Sequence, residues 1–449
     1  MIFEFIRNLS AFVVALGILV AVHEWGHFWV ARRCGVKVEK FSIGFGKALW
    51  SRKDKLGTEY VVAAIPLGGY VKMLDERVEQ VSEADLPYAF NRQHVLKRIA
   101  IVAAGPIVNF LFAILALYIM LLIGQQTVKP IVGNIEADSI AARAGFAEQD
   151  QIIQIAGHQT NDWQAVNYEV MRLIGNDSAD VQVVSKEGYK KALELDLTDW
   201  QFDPETTSPL ASLGFAPYRT NPTKQLAFVS ESSPAAEAGL QVNDIILQFN
   251  GTTVGNWEQI VELIEQQPKQ NVTITIERDG IEQQVVATIG VKPDDPEKGL
   301  LGVVTYLEPY PEAYLFNKQY GPIDGLVEGI NETWRLITLS FDMIGKLFTG
   351  DVSVKSLSGP ISIAQGAGMT ASAGIVAFLS FLALISVNLG IINLFPLPVL
   401  DGGHLLYYFI ELLTGRPVPE SVQEVGFKIG GIILLLLMTV AFYNDIARL

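Results

Sequence analysis

The chain has 449 residues, half of them hydrophobic, which leaves room for about two or three domains and places it with membrane proteins rather than soluble ones. One cysteine, Cys34, excludes an intramolecular disulfide framework. The net charge of −15 is unevenly distributed, with 13 Lys/Arg against 8 Asp/Glu over residues 31–98 and 16 against 33 over residues 124–373, and so acidic a middle region argues against nucleic acid as a partner.

The first apolar run, Leu9 to Val30, is long enough to cross a bilayer. It continues to Arg32 and Arg33 with no small-residue cleavage site, so it is expected to stay as a helix rather than be removed as a signal peptide. Within it lies His23-Glu24-Trp25-Gly26-His27. Helical positions i and i+4 differ by about 40° in azimuth, so both imidazoles can face one metal ion. Glu24, too close to ligate in the same geometry, can instead take a proton from water, which is a hydrolase arrangement. The plainer reading is a histidine pair at a helix end reaching for headgroups, but it gives the carboxylate no purpose in hydrocarbon. Cys34 is not read as a nucleophile.

Residues 36–74 read as strands. Val36 to Ile43 alternates, Gly44-Phe45-Gly46 interrupts it, and Glu59 to Ile65 and Gly69 to Met73 add β-type runs around Pro66 and Gly68. A small sheet beside the histidine helix follows. Its free edge can pair with an extended peptide; a packing hairpin is the alternative. Arg32, Arg33, Lys37 and Lys40 follow the first span, and Lys97 and Arg98 precede the second, Ile99 to Ile123. Basic loops prefer the cytoplasm, so the N-terminus and the acidic region are expected outside. The two arginines lie within about two helical turns of His27, roughly 8 Å, which places the metal near the inner face.

The acidic region repeats itself at an offset of 94 residues. Ala144-Gly145-Phe146 with Asp150, Ile152, Ile153, Gly157 and Trp163 matches Ala238-Gly239-Leu240 with Asp244, Ile246, Leu247, Gly251 and Trp257. Each copy continues into a helical tract and a hairpin, clearest around Asp279-Gly280. The A-G-[LF]-x-x-x-D-x-I pattern resembles the PDZ domain, over residues 127–309. Leu213-Gly214-Phe215 and Leu301-Gly302-Val303 come late in each copy, as a circularly permuted strand order would place them. The resemblance implies binding of peptide or protein ends by strand addition; a spacer or steric gate is the alternative.

Ile323, Leu326, Val327, Ile330, Trp334, Ile337, Phe341, Ile344 and Phe348 then recur at helical spacing among acidic residues, predicting an amphipathic helix that lies on the membrane or under the repeat. Gly366 to Gly374 reads as a flexible approach to the third span, Ile375 to Leu394. That span ends in Asn393-Leu394-Phe395-Pro396-Leu397-Pro398-Val399-Leu400-Asp401-Gly402-Gly403-His404. A catalytic zinc ion takes three protein ligands, and Asp401 is the outstanding third, with His404 a competitor read as structural. Pro396 and Pro398 should unwind the helix end, and Gly402 and Gly403 should let the backbone turn afterwards; a simple surface turn is the plainer reading. A fourth span, Ile429 to Tyr443, is short and preceded by Lys428, and spans two and four carry almost no polar groups.

HExxH in span one and N-x-x-P-x-P-x-L-D-G-G-H after span three, with the paired modules between spans two and three, resemble the site-2 protease family of intramembrane zinc metalloproteases. The resemblance covers nearly the whole chain. It implies a multi-pass α-helical membrane protein of the bacterial inner membrane, with four transmembrane helices, a membrane-associated β-loop and two PDZ-like α+β domains in the extracytoplasmic region. The expected divisions are 1–35, first helix; 36–97, β-loop; 98–124, second helix; 127–220 and 221–309, PDZ-like domains; 310–373, amphipathic helix and linker; 374–404, third helix; 425–446, fourth. It implies one Zn2+ per chain held by His23, His27 and Asp401, with Glu24 as general base. Asn393 would hold the substrate backbone or stabilise the oxyanion, next to Pro396 and Pro398, and Gly44, Gly46, Gly68, Gly69 and Tyr70 would belong to a loop presenting the substrate strand. The partners implied are single-pass membrane proteins such as a trimmed anti-sigma factor or remnant signal peptides. The alternatives are a non-catalytic PDZ-based receptor or scaffold, and a metal-ion transporter, which would need more polar spans.

Overall fold

A computed structural model describes residues 2–202, 207–293 and 295–448. Among these, four helices are long and apolar enough to cross a membrane, within Glu4–Arg33, Val95–Ile123, Ile375–Leu394 and Glu420–Ala447. The chain divides into two compact units, one of the residues up to Ala216 with those from Phe316 onward, the other Pro217–Leu315.

In the first unit, helix α1 (Ile2–Arg33) crosses α2 (Val95–Ile123) very closely, because Gly26 lies against the Ala104 carbonyl, where an added Cβ would stand 2.5 Å from the oxygen. Between them run two long strands, β1 (Val38–Lys53) and β2 (Glu59–Met73). Gly44-Phe45-Gly46 does not end a strand, contrary to expectation. Gly44 and Gly46 take φ of +91° and +86°, and the strand bends there and continues. The bend lets each strand pair twice: residues 38–43 lie between 69–73 and 59–62, and 59–63 in turn pair with 48–53. Phe28 of α1 packs on Phe41 and Tyr60 of this sheet, fixing it to the helix.

The first module of the repeat belongs to the same unit. Its strands Gln151–Ile155, Ser178–Val184 and Lys190–Asp196 enclose Ile152, Ile155, Val181, Val183 and Leu195 with Val166, Val170 and Leu173 of helix α3 (Trp163–Leu173). Asp162 caps that helix through the Ala165 amide at 2.8 Å. The late segment holding Phe215 pairs beside Val132–Ile135, the module's early strand. The second module, in the other unit, repeats this plan. Val303–Leu307 pairs with Pro222–Val229, and helix α4 (Trp257–Glu265) buries Ile260 and Ile264 on Ile246, Phe249, Ile274 and Ile276. Gly214 and Gly302, both at positive φ, lie against Ser139 and Ser233, the caps of equivalent short helices.

Helix α5 (Pro322–Thr349) is amphipathic as the spacing predicts. Gly325 and Gly329 let it approach α2 at Tyr118, while Ile323, Val327, Ile330, Trp334, Phe341 and Phe348 form an exposed apolar face. Arg172 of α3 donates to the Arg335 carbonyl at 3.0 Å, docking the first module on α5.

The stretch expected to be a flexible approach is helix α6 (Pro360–Ala373). Its small residues serve contact rather than flexibility: a Cβ on Gly368 would stand 1.8 Å from Asn8 Oδ1 of α1. Helix α7 (Ile375–Leu394) covers the third apolar span and stops before the two prolines, short of Asp401 and His404. Residues 395–400 interrupt it, and α8 (Asp401–Thr414) begins afresh at Asp401. Gly402 and Gly403 are therefore helical rather than turn residues. Their missing side chains admit the returning loop, since a Cβ would stand 2.2 Å from the Phe395 oxygen at Gly402 and 2.3 Å from Pro398 Cα at Gly403. Helix α9 (Glu420–Ala447) runs through Lys428 and starts earlier than its apolar core suggests. Its Asp445 accepts from the amides of Gly359, Ile361 and Ser362 at 2.9, 2.8 and 3.2 Å, capping α6.

Candidate metal centre

The site forms where α1, α2 and the start of α8 meet. His23 and His27, each 8% exposed, point their Nε2 atoms to one place, 3.2 Å apart. Asp401 Oδ2 completes the group at 3.2 Å from His23 Nε2 and 3.4 Å from His27 Nε2. Ligands bound to zinc tetrahedrally at 2.0–2.1 Å would be separated by about 3.3–3.4 Å, so these three atoms have the spacing of three corners of such a site. Asp401 Oδ2 is buried with no hydrogen-bond partner, as an oxygen is when a cation is what it serves. The donor set, two imidazoles and a carboxylate, suits zinc. Asp401 reaches this position because the 395–400 loop folds back under α8, where Pro398 lies against Gly426 and Gly430 of α9.

Glu24, half-buried, faces the small sheet. Its Cγ would stand 3.1 Å from a Cβ at Gly69, and the Val71 amide faces its carboxylate. Residues 69–73 are one of the two edge segments of the small sheet, so Glu24 lies between the histidines and a strand edge. Of the other β-loop positions, Gly68 has φ of +132° and abuts the Phe45 ring, which stacks on Tyr70 at 6.1 Å, while Gly44 and Gly46 form the bend opposite Ile65. Asn393 is half-buried near the end of α7, and its side chain makes no hydrogen bond among the described residues; Pro396 is exposed and Pro398 half-buried. His404 stands outside the ligand group, its ring 5.4 Å from Phe427 and 6.4 Å from Tyr408.

Three residues of α2 shape the site, and none was read from the sequence. His27 Nδ1 meets the Ile101 carbonyl at 2.9 Å, His23 Nδ1 meets the Asn109 amide nitrogen at 3.1 Å, and Gly105 lies against both rings. The available signal was Asn109 itself, a polar side chain in an apolar span. Just past the expected fourth span, α9 likewise holds buried Asn444 and Asp445.

The model of peptidase family M50 matches residues 11–437. The chain belongs to peptidase family M50, the site-2 protease family. This M50 protease is 49% identical over 448 residues to the regulator of sigma-E protease RseP of Escherichia coli, covering 99% of this chain and 100% of that one. It is 49% identical to protease RseP of Yersinia pestis, over 98% of this chain and 99% of that one, and 44% identical to the regulator of sigma E protease of Haemophilus influenzae, over 99% and 100%. Part of the structure is also similar to the PDZ domain of the SdrC-like protein of Listeria innocua, with 14% identity, a TM-score of 0.18, and coverage of 20% of this chain and 99% of that one. The M50 chain is thus an intramembrane zinc metalloprotease of the inner membrane, and its His-His-Asp group has the ligand types that metal needs.

Proposed function

We propose that His23, His27 and Asp401 hold one zinc ion per chain and that Glu24 is the general base for hydrolysis of peptide bonds in the transmembrane segments of single-pass membrane proteins. The observation that carries this reading is the near-tetrahedral spacing of Nε2, Nε2 and Oδ2, at 3.2, 3.2 and 3.4 Å, around the partnerless Asp401 oxygen. Zinc, when bound, supplies Lewis-acid polarisation of the scissile carbonyl and of the attacking water. Glu24 takes the proton of that water and delivers it to the leaving amine nitrogen. A helical substrate has every backbone group bonded internally and must unwind to expose a carbonyl. The edge at residues 69–73, with Gly68 and Tyr70, then holds the unwound segment as an added strand, the Gly44 and Gly46 bend shapes that edge, and Asn393 with the Pro396 and Pro398 turn holds the substrate backbone or steadies the oxyanion.

The modules at 127–220 and 221–309 are read as PDZ-like domains outside the membrane, filtering substrates or binding exported peptide ends, with the active site near the cytoplasmic face. The basic 31–98 loop supports that orientation. The relatives named for sigma-E regulation suggest a trimmed anti-sigma factor as substrate in regulated intramembrane proteolysis of a stress response, with remnant signal peptides as a second class. Purified Glu24→Gln protein is expected to retain zinc and fold while losing cleavage of a model single-span substrate; retained cleavage sinks the assignment. Deletion of residues 127–309 is expected to admit substrates whose outer domain is untrimmed, and unchanged selectivity rejects the filter.

A further inference from the structure

Which nitrogen of each histidine carries its hydrogen decides whether the site can bind metal. A neutral imidazole has one N–H, and only the form with hydrogen on Nδ1 leaves Nε2 free as a ligand. For His27 the partner of Nδ1 is the Ile101 carbonyl at 2.9 Å, which only accepts, so Nδ1 holds the hydrogen. For His23 the partner is the Asn109 side chain. Its amide nitrogen stands 3.1 Å from Nδ1, and its oxygen is buried without a partner, so no second bond pins the amide in that orientation. An amide NH2 donating to Nδ1 would force the hydrogen onto Nε2, aimed at Asp401 and incompatible with ligation. A half-turn of the isosteric amide lets Oδ1 accept Nδ1–H and frees Nε2.

We propose that Asn109 is a positioning residue: its side-chain oxygen accepts the Nδ1–H of His23, setting the ring's tautomer and orientation for zinc. This rests on the reading of His23, His27 and Asp401 as ligands. Asn109 is wholly buried at 0% exposure, and its main-chain carbonyl accepts from Ser386 of α7 at 2.8 Å, so its backbone is anchored to a third helix. Helix α2 therefore braces both histidines through Ile101 and Asn109 while contributing no ligand. Removing such a support costs about 10- to 100-fold in metal affinity.

The test uses the full chain in detergent, with zinc affinity measured by competition against a chelator and the ligand field read from the visible spectrum of the cobalt-loaded protein. Asn109→Leu is expected to lose about 10- to 100-fold in affinity and to shift the cobalt bands, while Asn109→Asp, whose carboxylate accepts the same N–H, keeps most of both. Ser386→Ala, which loosens the Asn109 main chain but leaves its amide facing His23, is expected to lose less affinity than Asn109→Leu and to keep the cobalt bands. Wild-type affinity and bands in Asn109→Leu, equal losses in the Leu and Asp variants, or an equal loss in Ser386→Ala would overturn the proposal. Should Asn109→Leu not fold, Asn109→Ala against Asn109→Asp carries the same comparison. His23→Ala separates the two levels. If it retains stoichiometric zinc, the reading of the site itself fails; if it loses zinc while Asn109→Leu does not, only the role of Asn109 fails.

Discussion

A methyl group on Gly105 would stand 2.4 Å from Nε2 of His27. The same group would lie 2.7 Å from Cε1 of His23, so the two imidazoles occupy the space that a side chain at Gly105 would need. Gly105→Ala is expected to displace a ring and to reduce both bound zinc and cleavage. Overpacking of this kind costs about 1–3 kcal/mol, enough to empty the site without unfolding four helices. Metal analysis of the purified variant checks it.

Gly69→Ala tests the strand edge separately from the metal. Its Cβ would stand 2.6 Å from the Ser42 oxygen and 2.8 Å from Val20 Cγ1, forcing residues 69–73 away from Glu24. Cleavage is expected to fall with zinc content unchanged, and a parallel loss of zinc would contradict the separation.

Asp445→Asn tests the clamp between α9 and α6. One carboxylate takes three amides and the Ser362 hydroxyl there, so the variant is expected to lose about 1–2 kcal/mol. A lower Tm with unchanged zinc content in the folded protein is the expected result.

Lys318 lies between Asp162 of the first module and Glu332 of α5, at 2.8 and 3.2 Å. Burial opposes its charge, but the two carboxylates outweigh burial and hold its pKa above the usual lysine value. A raised pKa stabilises the folded contact below the lysine's ordinary titration and loses that contribution only as pH rises through the shifted value. The docking is therefore expected to be constant over neutral pH and to weaken in strong alkali. Lys318→Met leaves two facing carboxylates and should loosen α3 from α5 by about 3 kcal/mol, seen as faster amide exchange in α3.

Much of the candidate site was legible because its chemistry is local in the chain. His23 and His27 share a helix face whatever surrounds them, and an intramembrane carboxylate after two prolines has few other uses. The repeat was legible because Asp150 and Asp244 do the same work in each copy, accepting from the amides of Ala147 and Gln241 at 3.0 and 2.8 Å. Glycine was where the reading failed. Gly44 and Gly46 looked like a break, Gly366 to Gly374 like a flexible tether, and Gly402-Gly403 like a turn. At Gly44 and Gly46 the chain does bend, but the strand runs on through the bend; in the other two cases the local pattern of a glycine that bends the chain is the same as that of one that makes room for a neighbour.

The sequence alone determined the apolar spans, the histidine pair with its carboxylate, the repeated module and Asp401 as the candidate third ligand, because periodicity and residue chemistry act over a few positions. Only the tertiary structure decided that Asp401 opens a new helix rather than closing the third span, that Glu24 faces the edge at residues 69–73, and that Ile101 and Asn109 hold the far sides of the histidines. Those relationships join residues dozens to hundreds of positions apart. They depend on how closely α1, α2 and the α7–α8 turn can approach, and side-chain volume at Gly26, Gly105, Gly402 and Gly403 governs that approach only once the helices are packed.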